Sequence, residues 1–314
     1  MFTRYTLMSA LVMAASPLLA EAGDFNGRWN ITVENEPRGR AWWLEVEAAG
    51  TRALRGKFVG APGGQLDVIP VLTVEGEELV WAFERGGTKL TYRAKLTTAG
   101  TLEGAMRTEG ADALMKFVGR RAPVMRDKDD GSWVAGRTVE LFNGRDMTGW
   151  SPRSPGRPME WHVENGVMKN KAKASDIVSA AKFGNFKLHI EFRVAQDSNS
   201  GVGLRARYEV QIYGDYGKPV SLHGNGALYS RVLPKVNATL PPDQWQTFDI
   251  TLVGRELTVV LNGKTLHDHV EIEGLTAMAT DANEAAPGPL TLQGDHGPVE
   301  FRKITVTQLV KKSN

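Results

Sequence analysis

Apolar and polar residues alternate with period two along much of this chain, the pattern of half-buried β-strands. From Phe186 to Val194 the alternation is complete. Phe186, Leu188, Ile190, Phe192 and Val194 take one face, and Lys187, His189, Glu191 and Arg193 take the other. The runs FDITL and LTVVL repeat it further on. Near the start, Trp42, Leu44 and Val46 oppose Trp43, Glu45 and Glu47. LRGKFVG, LDVIPVLTVE, ELVWAFERG, KLTYRAKL, LEGAMRTE and ALMKFVGRR follow, with Gly-bearing turns between them. Asn165-Gly166 and Asn262-Gly263 carry the dipeptide that tight hairpins favour. Long helical periodicity is absent, so the expected fold class is all-β.

The punctuation divides the chain. Residues 24–121 read as a small antiparallel β-barrel or sandwich, and F-x-G-x-W at Phe25 with a later G-x-F-V-G resembles lipocalin-like barrels. Its tryptophans Trp42, Trp43 and Trp81 read as core in preference to the lining of a ligand cup. Residues 122–137, charged and without apolar periodicity, read as a linker. Residues 138–310 read as two stacked antiparallel sheets, a concanavalin-like jelly roll. On this reading the first unit is an accessory and residues 138–314 fold and work alone. Residues 1–22 read as a signal peptide, from Arg4, the apolar run Leu7 to Ala15 and the small residues Ala20 and Ala22. The expected location is therefore periplasmic or secreted.

Composition narrows the classes. Lys and Arg number 38 against 36 Asp and Glu, a net charge of +2, which gives no general attraction to nucleic acid or anionic membrane. No membrane insertion is expected once the signal is removed. There is no Cys, hence no disulfide, thiolate metal site or Cys nucleophile.

Candidate chemistry concentrates at 202–213. Val202, Leu204, Ala206, Tyr208, Val210 and Ile212 share one parity. Gly203, Arg205, Arg207, Glu209, Gln211 and Tyr213 share the other. If the strand is continuous, Arg205, Arg207, Glu209 and Gln211 project from one face, with neighbours about 7 Å apart. Two Arg beside Glu and Gln suit fixed, forked hydrogen bonds. Asn143, Gly144 and Asp146 read as a turn. His267, Asp268 and His269 read as a surface hairpin.

Five segments in order carry a family likeness: LFNGRDMTGW (141–150), NSGVGLRARYEVQIY (199–213), GALY (226–229), WQTFDITLVG (245–254) and GPLTLQGDHGPVEFRKITV (288–306). Together they resemble the 3-keto-disaccharide hydrolase family. The resemblance implies a concanavalin-like fold and cleavage of glycosides already oxidised to a ketone at C3. It implies base removal of the C2 proton, elimination at C1 and hydration, for net hydrolysis or lysis. It supports Arg205, Glu209, Gln211 and His296, and with Tyr229, a hydroxyl donor or a core aromatic, the candidate catalytic residues are Glu209, His296, Arg205 and Tyr229. The candidates for substrate binding are Asn199, Gln211, Gln293, Asp295, His223 and Arg207. His296 or Glu209 stands as the base, Arg205 as the enolate stabiliser, and Tyr229 or His223 as the acid. A divalent metal ion stays open as an alternative electrophile. The partner is then a small carbohydrate.

Two other readings compete. A lectin-like carbohydrate-binding module would need aromatic platforms and amides but no tuned base. A two-carboxylate β-glucanase would need a strand of the form E-x-D-x-x-E, which the chain lacks.

Overall fold

The computed structural model describes residues 22–61 and 63–312. The stretch read as a signal peptide lies outside the described residues but for its last residue, Ala22. Among the described residues the regular elements are all strands apart from one 3-10 turn, Ala22–Phe25.

Nine antiparallel strands between Gly27 and Arg121 form a single sheet. Each pairs with its neighbour in sequence, except that the first, Gly27–Val33, also pairs with the ninth, Leu114–Arg121. The two ends of the sheet, Asp67–Val68 and Val71–Glu75, are separated in sequence only by Ile69 and Pro70. Alternate side chains point inward and meet across the curl. Trp42 packs on Tyr92 and Phe117, and Phe58 packs on Trp81 and Tyr92. Rings from opposite runs of the sheet touch at 5–6 Å, so the sheet curls round one aromatic core. Trp42 and Trp81 are fully buried there. Trp43, of opposite parity, leaves the barrel core and packs under the Arg231 guanidinium of the second unit, 4.3 Å away.

The second unit holds two antiparallel sheets, one of eight strands and one of five. Phe186, Leu188, Ile190 and Phe192 of the larger sheet share one core with Tyr208, Val210, Ile212, Leu290 and Leu292 of the smaller. This is the expected sandwich. Residues 122–137 are only partly a connector. Trp133–Glu140 is already a strand, paired with the last one, Val299–Lys311. Asn185 also donates to Asp127 at 3.0 Å, and the Asp129 N–H donates to Glu256 at 2.7 Å.

The two units are docked through buried polar contacts. Glu284 is fully buried and accepts from Tyr208 (2.6 Å), Arg255 (2.7 Å) and Asn30 of the barrel (2.9 Å). Burial raises its pKa, but the Arg255 partnership outweighs that and holds it below the ordinary value. The N–H of Ala41 donates to the carbonyl of Ala279 at 2.9 Å, and the N–H of Leu66 to the Ser230 hydroxyl at 2.9 Å. Lys57 pairs with Glu273 at 3.3 Å.

Candidate active site

The strand Tyr208–Tyr213 sits at one edge of the five-stranded sheet. Its even residues fill the sandwich core, so Glu209 and Gln211 project from the sheet's other face. Both are nonetheless buried, because barrel loops and the segment around Ala277 and Met278 cover that face. Gly201 and Gly203 lie opposite Gln211 and Glu209 in the neighbouring strand, Asn199–Leu204. A Cβ at Gly201 would stand 2.7 Å from the Glu209 carboxylate oxygen. Gly201 therefore leaves the floor that Glu209 leans across, while Gly203 makes room for Met278 and Thr291. Gly201→Ala should displace this carboxyl and lower kcat about 10–100-fold, since a shift of roughly 1 Å costs on that order. The thermal midpoint should change little, because the clash is with the end of a flexible side chain. Unchanged kcat in the folded variant would show that the glycine does not set the carboxyl's position.

Glu209 opens into a cleft of about 530 Å³, with Asn199, Gln211, Tyr229, Gln293, Asp295 and His296 on its walls. The sequence singled out all seven of these residues. Burial first, then the nearby charges of Asp176 and Asp295, push the Glu209 pKa up to about 8, against the pull of Arg153. At neutral pH in the empty cleft it is mostly protonated. Asp295 accepts from Nδ1 of His296, which leaves Nε2 for the cleft. That hydrogen bond raises the His296 pKa, against partial burial. Burial alone would raise Asp295 as well, but His296 outweighs it and keeps Asp295 below the ordinary carboxylate value. Tyr229 stands close to Glu209, its N–H donating to the Glu209 carbonyl at 3.0 Å. Burial, then Glu209, raises its phenol pKa. Gln211 donates to Asn199 at 3.0 Å, and its Oε1 is buried without a partner, as is Oε1 of Gln293. Both are unsatisfied acceptors inside the protein, on residues that line the cleft. His223 lies beside the cleft, its ring 4.7 Å from that of Tyr229.

Arg205 and Arg207 are elsewhere. The strand expected to run through 202–213 breaks into a hairpin, and Arg205 and Ala206 both take φ of 54° at its tip. Arg205 turns to the carbonyl of Gly184 (2.7 Å) and to Asn185 (2.9 Å). Arg207 grips Asp281 at 2.8 Å and the carbonyl of Ala286 at 2.8 Å. Both are buried anchors of neighbouring loops, and neither reaches the cleft.

The cleft's cations come from residues that the sequence did not single out: Arg38 and Arg40 of the barrel, and Arg153. Arg153 pairs with Asp176 at 2.8 Å and donates to the carbonyl of Arg38 at 2.9 Å. Asp176 in turn accepts from the N–H groups of Gly294 (2.9 Å) and Asp295 (3.3 Å). One chain of contacts thus joins the barrel loop to the loop that carries His296. Among the described residues no three His, Asp or Glu side chains gather as a metal site. The donor set does not suit one, with Asp176 taken by Arg153 and two amides and Asp295 by His296.

The remaining expectations resolve simply. Asn143 and Asp146 build a turn, linked by a side-chain hydrogen bond of 2.8 Å. His267 is buried against the carbonyl of Gly226 while His269 is exposed, so the two do not converge.

Comparison with known proteins adds the family. Residues 137–307 match the model of the 3-keto-alpha-glucoside-1,2-lyase-like domain. A 3-keto-disaccharide hydrolase of Bacteroides thetaiotaomicron is 30% identical over 74 residues, 20% of this chain and 26% of that protein. The chain thus spans about a quarter of the length of the curated relative it matches. A candidate glycosyl hydrolase from Parabacteroides distasonis is 29% identical, covering 59% of this chain and 91% of its own, with a TM-score of 0.49. A β-glucanase of Bacillus licheniformis is 13% identical, covering 55% and 99%, with a TM-score of 0.37. Because the family match takes in more than half of the sequence, this chain belongs to the 3-keto-alpha-glucoside-1,2-lyase-like family.

Proposed function

We propose that this protein cleaves 3-keto-glycosides by elimination at C1 followed by hydration. The observation that carries the reading is a buried, protonated Glu209 on the wall of the same cleft as the His296–Asp295 couple. The C3 ketone acidifies the C2 proton. Nε2 of neutral His296 takes that proton while Asp295 steadies Nδ1. The C–H electron pair moves into C2–C3, and the C3 oxygen becomes an enolate. Arg38, Arg40 and Arg153, which face Asp295, Glu36 and Asp176, offer it N–H donors from the cleft wall. The enolate then reforms the ketone, C1 and C2 become doubly bonded, and the C1–O bond breaks. Glu209 gives its proton to the departing oxygen. The carboxylate left behind takes a proton from water as that water adds to C1, and His296 returns its proton to C2. The sum is hydrolysis; release before hydration is lysis. Gln211 and Gln293 line the cleft, and their buried Oε1 atoms have no partner in the protein to compete for a sugar hydroxyl once the side chains adjust.

A carbohydrate-binding module has no use for a carboxyl kept buried at a cost in folding energy. A two-carboxylate glycosidase finds no free partner for Glu209, because Asp176 is paired with Arg153 and Asp295 with His296. The deciding experiment offers the protein a 3-keto-glucoside and its unoxidised parent. Turnover is expected on the first alone. Equal rates on both sink the elimination, and binding without turnover on any keto-substrate favours the lectin-like alternative.

A further inference from the structure

The cleft shares a wall with a second and larger hollow at the mouth of the barrel. This hollow is open to solvent and spans about 890 Å³, and Arg38 and Arg40 line both spaces. The partition is built rigidly. One carboxylate oxygen of Glu36 accepts the N–H groups of Arg38 (2.7 Å) and Arg40 (2.9 Å), and the other faces the Arg40 guanidinium at 3.3 Å. Beyond it the lining changes character. Leu90, Met106, Met115, Ala61 and Pro37 dominate, with two threonines. Its other charges are already paired, Arg85 with Asp67 and Glu36 with Arg40.

We infer that the barrel mouth is the subsite for the leaving group, and that it takes an uncharged, apolar aglycone of about the size of an aromatic ring. This rests on the reaction proposed above and names its substrate class. The 3-keto sugar must lie in the cleft, where Glu209, His296 and the free amide oxygens are. The group on C1 then has to extend out of the cleft, and beyond the largely exposed Arg38 side chain lies a hollow suited to it. A second sugar would need unspent donors and acceptors to replace its water. Methionine, leucine and proline cannot provide them, whereas they bury a hydrocarbon ring well. The methionines also allow the pocket to adapt to different ring shapes.

The test compares benzyl and methyl 3-keto-glucosides of the same anomeric form. Both release primary alcohols, so the difference reads the subsite in place of the chemistry of departure. The benzyl compound should show kcat/KM about 10–100-fold higher, the range that apolar pocket contacts provide, and should do so chiefly through KM. Met115→Lys should bring the ratio close to one while methyl turnover is kept. Thr108→Glu, on the same wall, serves if the lysine variant fails to fold. Benzyl and methyl compounds turned over equally by the unaltered protein would overturn the subsite. So would a ratio that neither variant changes, or a 3-keto-disaccharide preferred to the benzyl compound. No turnover on either compound would instead bring down the reaction itself, and the subsite with it.

Discussion

Glu209→Gln should lower kcat by about 10²–10⁴-fold, the usual cost of losing a general acid. Its thermal stability at neutral or alkaline pH should stay level or rise. The sign follows from linkage. A carboxyl whose folded-state pKa is raised from 4.5 to about 8 favours the folded state when protonated. That contribution is fully present below the unfolded value and fades as pH climbs from 4.5 to about 8. Glutamine has no proton to lose and escapes this cost. A purely structural residue would behave the other way, losing stability and activity together. The pH profile gives a second signature. Activity should fall on the alkaline side as Glu209 ionises near pH 8, and that limb should vanish in the glutamine variant. On the acid side it should fall as His296 takes up a proton, at a pH above its ordinary value of 6.5. His296→Ala should cost a similar factor in kcat. Full activity in either folded variant would refute the assigned roles.

A fragment of residues 122–314 should retain less than about 1% of the kcat/KM of the whole chain. This reverses the expectation that the first unit is an accessory. The barrel brings Arg38, Arg40 and Gly63 to the cleft. Its removal also uncovers Glu284, which is fully buried in the whole protein and loses Asn30 as a partner. The fragment should therefore melt lower as well as work slowly. Arg38→Ala in the intact chain separates the two effects. Its guanidinium is largely exposed, so the fold should hold while kcat/KM drops about tenfold or more. A folded fragment as active as the parent would show that the barrel is dispensable to catalysis.

Much of this site could be read from the chain because a strand's parity is local information. Glu209 and Gln211 follow from the alternation Tyr208, Val210, Ile212, which is continuous and apolar. The same parity misassigned Arg205 and Arg207. The hairpin tip there is built from Arg205 and Ala206 in the left-handed region, without the Gly or Asn that usually announces such a turn. The buried anchoring of Arg205 on Gly184 and Asn185 holds that conformation, and no local pattern encodes it. Arg38, Arg40, Arg153 and Asp176 escaped for a related reason. They belong to loops: Arg38 and Arg40 reach the cleft only because the first unit docks there, and Arg153 and Asp176 only because separate loops of the sandwich meet. Asp176 had one hint, an acid just before the apolar strand Ile177–Phe183, but nothing in its neighbours marked it as the clip for Gly294 and Asp295.

The pairing of Trp133 with Lys311 has a consequence for how the chain matures. The first sheet is complete by Arg121, with nearly all its strands joined to sequence neighbours, so it has everything it needs early in synthesis. The sandwich does not: its longest strand, Val299–Lys311, pairs with three others and is the last to emerge. Until then the docking surface around Asn30 and Trp43 has no partner. The chain's most exposed moment falls between the completion of its first unit and the arrival of its final strand, when an uncovered tryptophan face is open to other nascent chains.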